Sequence, residues 1–351
     1  MQTSLKTQKK QVEVPKRIFH HIKGKYPGAT IVFFAGIHGN EFAGVDALNN
    51  VLKKLNEEDI TGEIYGVYGN IKALQKNKRF LESDLNRLWT QNQLNAIQHK
   101  KKLNQEEQEQ KELFYFIHKL LTSTDKPIYF IDLHTTSSKT LPFITINDAL
   151  INRKFSSCFP VPVVLGIEEY LEGPLLSYLN TLGYVSLGFE SGQHTDPGAV
   201  KNCEAFIYLA LKHSGHLKSN NNHNYEDELI KVSKGMSSIF EVVYKYHIQS
   251  KEVFSMEEGF ESFQNIKRGT LIATTNGKNI YSDYSAKLFM PLYQKSGNDG
   301  FFIIRPIPKF FLKSIFHLFG YRNKQIDKTH LLLYNRERVS KNKMYKNEKW
   351  Y

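Results

Sequence analysis

The stretch "ATIVFFAGIHGNEFAGVDAL" (29–48) decides the fold. Its opening, "ATIVFFAGI" (29–37), is short, apolar and β-branched, the pattern of a buried strand. From Phe42 onward, Val45, Leu48, Leu52 and Leu55 recur at three- and four-residue spacing, which predicts a helix with one apolar face. Between strand and helix stand His38, Gly39, Asn40 and Glu41. A turn that only joined two elements would have no need of an imidazole and a carboxylate three residues apart. Gly36 and Gly39 permit a tight reversal that delivers both side chains to the carboxyl end of the sheet, where open α/β sheets place their sites.

The same alternation continues outward. "GEIYGVYGN" (62–70), "KPIYFIDLHT" (126–135), "LPFITI" (141–146), "VPVVLGI" (161–167) and "GYVSLGFES" (183–191) read as strands. "QHKKKLNQEEQEQKELFYFIHKLL" (98–121) and "KNCEAFIYLALKHSG" (201–215) read as helices. Strands that are apolar on both faces and alternate with helices predict an α/β fold with a mostly parallel central sheet. The polar run "KSNNNHNYEDE" (218–228) marks a boundary, and "GFESFQNIKRGTLIATTNGKNIYSDYSAKLFMPLY" (259–293) shows short strands punctuated by Gly and Asn-Gly. The expected division is a leader and first-strand region (1–28), an α/β domain (29–217), a linker (218–228), a small β-rich domain (229–304) and a basic tail (305–351).

Composition narrows the function classes. In 351 residues, 40% are hydrophobic, with 24 Phe and 19 Tyr, so a substantial core is expected and global disorder is excluded. Cys158 and Cys203 have neither metal-type spacing nor the number for a disulfide framework, which suits a reducing compartment. The basic start "MQTSLKTQKKQVEVPKR" is followed by no apolar stretch of the secretory kind, and no apolar run approaches the ~18–20 residues of a membrane span. A cytoplasmic protein with no transmembrane segment is expected. Residues 305–351 hold 12 Lys/Arg against 3 Asp/Glu, so this tail contributes +9 of the net +12 and the body is nearly balanced. Its aromatics are too scattered for a base-stacking platform, and no nucleic-acid partner is expected. The tail reads as a solvated extension.

His-x-x-Glu by itself is a weak signal, and the chain carries it twice, at 38–41 and at 223–226. The second copy lies in the Asn-rich run with no strand before it, and reads as chance. At the first, the two side chains can converge on one ion. Zinc favours such ligands, and a catalytic site needs three with a position left for water. "YFIDLHTTSS" (129–138) offers His134 at the end of another strand as the third ligand, with Asp132 placed to orient it or to serve the sheet. "NKRFLESDLNRLW" (77–89) adds Arg79, Asn86 and Arg87; alone they would be surface residues, but beside a metal they suit an anionic substrate. Glu190 closes an apolar strand at the same sheet edge, where a carboxylate can move a proton from water to a leaving amine.

Taken in order, "GIHGNE" (36–41), "RFLESDLNR" (79–87), "DLHTT" (132–136) and "FESGQH" (189–194) resemble the succinylglutamate desuccinylase/aspartoacylase family of zinc-dependent amidohydrolases, relatives of the zinc carboxypeptidases. The resemblance covers residues 29–215. It implies a carboxypeptidase-like α/β/α domain followed by a β-rich domain that helps cover the site. It also implies one zinc per chain on His38, Glu41 and His134, with Glu190 as general acid/base. Arg79 would polarise the scissile carbonyl, and Asn86 and Arg87 would hold a substrate carboxylate. Tyr293, in "LFMPLYQKSGNDGFF" (288–302), matches a substrate-contacting tyrosine of the β-rich domain. One departure stands out. Aspartoacylase has a second substrate-binding arginine shortly before the catalytic glutamate, whereas "PLLSYLNTLGYVSLGFE" (174–190) contains no Arg or Lys. A substrate carboxylate buried there without a cation would cost on the order of several kcal/mol, which disfavours N-acetylaspartate.

The function expected is zinc-dependent hydrolysis of an N-acyl amino acid or similar small carboxylate-bearing amide. Alternatives are a zinc carboxypeptidase acting on short peptides and a non-catalytic metal-binding protein. An oligomer of identical chains is compatible with each.

Overall fold

A computed structural model describes residues 16–167, 170–217 and 224–308. Strands β1 (Ile18–Lys23) and β2 (Tyr26–Ala35) come first, followed by helix α1 (Ala43–Leu52), β3 (Thr61–Tyr68) and α2 (Ile71–Lys76). Helices α3 (Gln91–His99) and α4 (Gln105–Ser123) lead to β4 (Ile128–Thr136) and β5 (Phe143–Ile146). Next are α5 (Leu150–Ser156), β6 (Val163–Leu165), α6 (Leu175–Thr181), β7 (Val185–Gln193), α7 (Ala199–His213) and α8 (Tyr225–Val232). The remainder is strand: β8 (Ile239–His247), β9 (Phe254–Met256), β10 (Asn265–Ile266), β11 (Leu271–Thr275), β12 (Lys278–Tyr281), β13 (Ala286–Phe289) and β14 (Asp299–Pro306).

One sheet of 11 strands runs β1-β3-β2-β4-β7-β5-β6-β8-β14-β13-β10. Its centre, β3-β2-β4-β7, is parallel throughout. Alternation along β2 sends Ile31, Phe33 and Ala35 into a core shared with α1 and α7, while Val32 and Phe34 enter a second core against α4 and α6. Both faces are covered by helices, which is why these strands read as continuous apolar runs. The fold is α/β with a mostly parallel central sheet and a C-terminal β-rich part, as expected. That part is continuous with the sheet, because β8 pairs parallel with β6 and then antiparallel with β14. β9, β11 and β12 form a separate three-stranded sheet. Among the described residues no helix is long and apolar enough to cross a membrane.

Two local expectations need correction. Phe42 does not share the apolar face of α1; it precedes the helix as its N-cap and is 40% exposed, because helical periodicity starts only at Ala43. The single helix expected over 98–121 is two. Asn104 starts α4 with a reciprocal capping box to Glu107, which fixes a new helix start inside the charged run. Of the tail, residues 309–351 lie outside the described residues, as do His223 of the second His-x-x-Glu and residues 1–15 of the leader.

Candidate active site

The carboxyl ends of β2, β4 and β7 meet at one cavity. After β2 the chain reverses at Gly36, whose φ of 70° is in the left-handed region. Gly39 then passes so close to α2 that a Cβ there would lie 2.2 Å from the Ala73 carbonyl carbon. That contact presses the turn onto α2 and holds His38 and Glu41 over the sheet edge. β4 brings His134 to the same edge, and its register partner on β7 is Glu190. All four side chains are buried.

Glu41 lies between the two imidazoles. Its Oε1 is 2.9 Å from His38 Nδ1 and its Oε2 is 2.9 Å from His134 Nδ1. Each ring has a second carboxylate behind it: Asp84 Oδ1 lies 3.2 Å from His38 Nε2, and Asp132 Oδ2 lies 2.6 Å from His134 Nε2. The backbone N–H of Thr135 donates to Glu41 Oε2 at 3.1 Å. A carboxylate behind each imidazole fixes its orientation and leaves the other nitrogen facing a common centre, as second-shell carboxylates do in metal sites. Ligand atoms of His38, Glu41 and His134 lie within 4.8 Å of one another and could hold a metal ion. Two imidazole nitrogens and one carboxylate oxygen are the donor set of a catalytic rather than a closed structural site.

The electrostatics follow from this arrangement. Burial alone would raise the Glu41 pKa, yet His38 and His134 outweigh it and hold the carboxyl well below its usual range. Burial would lower the His134 pKa; Asp132 and Glu41 overcome that and raise it well above the ordinary imidazole value. Asp84 is held low against its own burial by His38, then Arg79 and Arg87. Glu190 goes the other way. Burial pushes its pKa up to about 8, with Glu41 and Asp132 adding to the shift against the opposing pull of His134 and Arg79. Its Oε2 has no hydrogen-bond partner in the protein. A buried carboxyl with an unpartnered oxygen, on a residue that lines the cavity, is a candidate for proton transfer.

The segment before α3 supplies the arginines. Arg79 donates to Asp84 Oδ2 through Nε at 3.3 Å and Nη2 at 3.0 Å, and its Nη1 stands 3.7 Å from Glu41 Oε1. Asn86 lines the cavity and accepts the Leu175 N–H at 3.0 Å, which ties it to the start of α6. Arg87 also lines the cavity and donates to Asp299 at 2.9 Å. The loop is fastened from below by Glu106, a fully buried side chain on α4. Its carboxyl accepts the backbone N–H groups of Leu81 (2.7 Å), Glu82 (3.1 Å) and Ser83 (3.2 Å) and the Asn70 amide (3.1 Å). Tyr293 stays outside this group. It is 40% exposed, its hydroxyl donates to the Glu257 carbonyl at 2.7 Å, and its neighbours Leu292 and Gln294 line the cavity instead.

Sequence reasoning assigned no role to Asp84, His194, Asp299 or Glu106. Asp84 had a signal, because it sits at the N-cap of the short 3-10 turn Leu85–Arg87, where its side chain accepts the Asn86 N–H. His194 lines the cavity with Nδ1 2.7 Å from the Thr135 hydroxyl, and belongs to the quoted "FESGQH". Asp299 and Glu106 gave no local signal.

A parallel α/β sheet with a buried His–Glu–His cluster at its carboxyl edge, backed by two carboxylates, defines a class: α/β proteins with a candidate catalytic metal centre. Comparison with known proteins narrows it. Residues 27–180 match the family model of the Succinylglutamate desuccinylase/Aspartoacylase catalytic domain. The succinylglutamate desuccinylase of Photorhabdus laumondii is 32% identical over 108 residues, which is 30% of this chain and 33% of that protein. The similarity therefore spans about a third of that relative's length. Among solved structures, a succinylglutamate desuccinylase/aspartoacylase from Rhodobacter sphaeroides superposes with a TM-score of 0.62 at 15% identity, covering 82% of this chain and 88% of that one. A succinylglutamate desuccinylase from Vibrio parahaemolyticus gives 0.60 at 15% identity, covering 80% and 82%. Residues 27–180 are thus similar to the catalytic domain of the succinylglutamate desuccinylase/aspartoacylase family, and the solved structures share its fold.

Proposed function

We propose that this protein is a zinc-dependent amidohydrolase that cleaves the amide bond of an N-acyl amino acid or a similar small carboxylate-bearing amide. The observation that carries the reading is the pairing of two unlike carboxyls in one cavity. Glu41 is ionised between two imidazoles, while Glu190, across the β4–β7 ladder, is buried with a free oxygen. His38, Glu41 and His134 are the residues that would hold zinc. When bound, zinc would supply a Lewis acid for the carbonyl and lower the pKa of water toward ~7.

The chain's own residues do the rest. Glu190 takes the proton of the attacking water and returns it to the departing nitrogen, a role that suits a carboxyl poised near neutral pH. Arg79, kept in place by Asp84 and facing the cluster, stabilises negative charge as it develops on the carbonyl oxygen. Asn86 and Arg87 hold the substrate carboxylate at the next step of the cavity wall. The α/β part (29–217) supplies these groups, and the β-rich part (229–304) closes the far wall of the cavity.

Amine release from a panel of N-acyl amino acids, before and after stripping and restoring zinc, tests the reading. Zinc-dependent turnover is expected. Glu190→Gln should lose about 10²–10⁴-fold in kcat while zinc remains bound. Turnover of dipeptides with a free C-terminus in preference to every acyl amino acid would make the protein a carboxypeptidase. Full activity in Glu190→Gln would remove the mechanism.

A further inference from the structure

We propose that Asp299 makes the site selective for N-acyl amino acids whose amine half carries one carboxylate and an uncharged, apolar side chain. The proposal rests on the amidohydrolase reading and deepens it. Among the described residues lining the cavity, the only Arg or Lys side chains are Arg79 and Arg87, and each already faces a carboxylate. Arg79 is committed to Asp84 beside the metal-ligand cluster. Arg87, the cation on the substrate side, donates to Asp299 Oδ2 at 2.9 Å.

Asp299 is itself held from behind. Its Oδ1 accepts Lys245 Nζ at 3.0 Å, and Lys245 also donates to the Tyr170 carbonyl. Side-chain exposures are 27% for Arg87, 17% for Asp299 and 15% for Lys245, so the trio sits mostly out of water, where charges count for more than at a surface. Two cations and one anion leave a net charge of +1. One carboxylate is attracted and can share Arg87. A second carboxylate would meet Asp299 with no cation left to pair it, because residues 174–190 supply none. An ammonium would meet a trio that is net positive, whose acid has both oxygens engaged. The adjoining walls, Ile167, Leu171, Met290, Leu292 and Phe302, are apolar and suit a side chain of that kind. Discrimination against charge is then achieved by placing an unpaired like charge or a dry wall in the path of the wrong ligand.

The test uses the full chain and three ligands that differ only in side chain: N-acetyl-leucine, N-acetyl-aspartate and Nα-acetyl-lysine. Equilibrium binding by calorimetry and kcat/KM of the zinc-loaded protein are measured for each, on wild type and Asp299→Asn. The leucine ligand should be preferred by about tenfold or more over both charged ones, and Asp299→Asn should improve the aspartate-to-leucine ratio by about tenfold. The wild-type preference needs no variant, so a poorly folding Asp299→Asn leaves that arm decisive. Preference for aspartate or lysine, or an unchanged ratio in a folded Asp299→Asn, overturns the proposal while leaving the amidohydrolase reading standing. Tighter binding of the leucine ligand with no turnover of any member sinks the hydrolase reading and supports the selectivity. Binding of none overturns both.

Discussion

The two ends of the cavity are built on opposite rules. At the cluster end, nearly every charge has a counter-charge within hydrogen-bond reach: Glu41 has both imidazoles, His38 has Asp84, His134 has Asp132 and Arg79 has Asp84. Around Arg87 the charges are gathered into one trio, Arg87, Asp299 and Lys245, with apolar lining residues such as Leu171, Leu292 and Phe302 also on the cavity wall. Packed dipoles and charges that need no rearrangement during reaction favour a developing charge, so the first end is suited to chemistry. Dry walls with one anchored ion pair respond to what a ligand carries, so the second end is suited to choice. Glu190 belongs to the first end by position, yet it has no hydrogen-bonded counter-charge there and its Oε2 is unpartnered, as is Asp132 Oδ1, which fits the proton-transfer role proposed for Glu190.

The strongest way to break this contrast is to remove the group on which the first end converges. Glu41→Ala leaves His38 and His134 without their shared partner, and stoichiometric zinc binding should vanish together with all zinc-dependent turnover. Metal analysis after dialysis reads it directly, and a variant that still carries one zinc per chain would mean that the cluster is not the ligand set. A milder change sharpens the same point. Asp132→Asn keeps the shape behind His134 but removes its charge, and zinc affinity should weaken by about 10–100-fold. Competition with a chelator measures this, and unchanged affinity would reduce Asp132 to a part of the sheet.

The smallest effect on the site should come from a histidine remote from both ends. His216 is buried, with Nε2 2.9 Å from the Ala29 carbonyl and Nδ1 2.8 Å from the Ser214 hydroxyl. Burial lowers its pKa to about 4, against the opposing effect of backbone hydrogen bonds. Its folded pKa is depressed, so the folded state favours the neutral ring. The stability it contributes is complete above the unfolded value near 6.5 and is lost as pH falls toward 4. This amounts to on the order of 3 kcal/mol. His216→Gln should therefore be less stable than wild type at pH 7.5, with the gap closing by pH 4 in urea titrations, while zinc binding stays unchanged. A gap that is constant with pH would show that His216 titrates normally.

How far the sequence reveals this molecule depends on the distance over which each feature is encoded. The parallel core was readable because strands buried on both faces leave unbroken apolar runs such as "ATIVFFAGI". His38 and Glu41 could be singled out because one strand, one glycine-flanked turn and one helix place them, all within a short stretch. His134 and Glu190 come from separate strands, but each stands at the end of its own apolar run. Phe42 misled because a cap residue can mimic the first position of an apolar stripe. The break between α3 and α4 lies in the Asn104–Glu107 box, a signal masked by the surrounding charges. Asp299 had no such clue. It meets Arg87 only because β14 is carried to the cavity by pairing with β8, and nothing local to either residue encodes a contact across 212 positions. Glu106 looks like one more solvated charge on a polar helix start; its burial depends on what packs over it.

The Glu106 carboxyl has a further consequence, which concerns time. Loop amides ordinarily exchange their hydrogens with solvent quickly, because local opening costs little. Here the amides of Leu81, Glu82 and Ser83 are fastened to a buried side chain of a 19-residue helix whose same face, farther along, buries Leu113, Ile117 and Leu120. Their protons are released only when that side chain lets go, so their exchange should be slow and should follow the opening of α4. The segment bearing Arg79 and Arg87 therefore keeps the slow clock of the core, although it has the outward form of a loop.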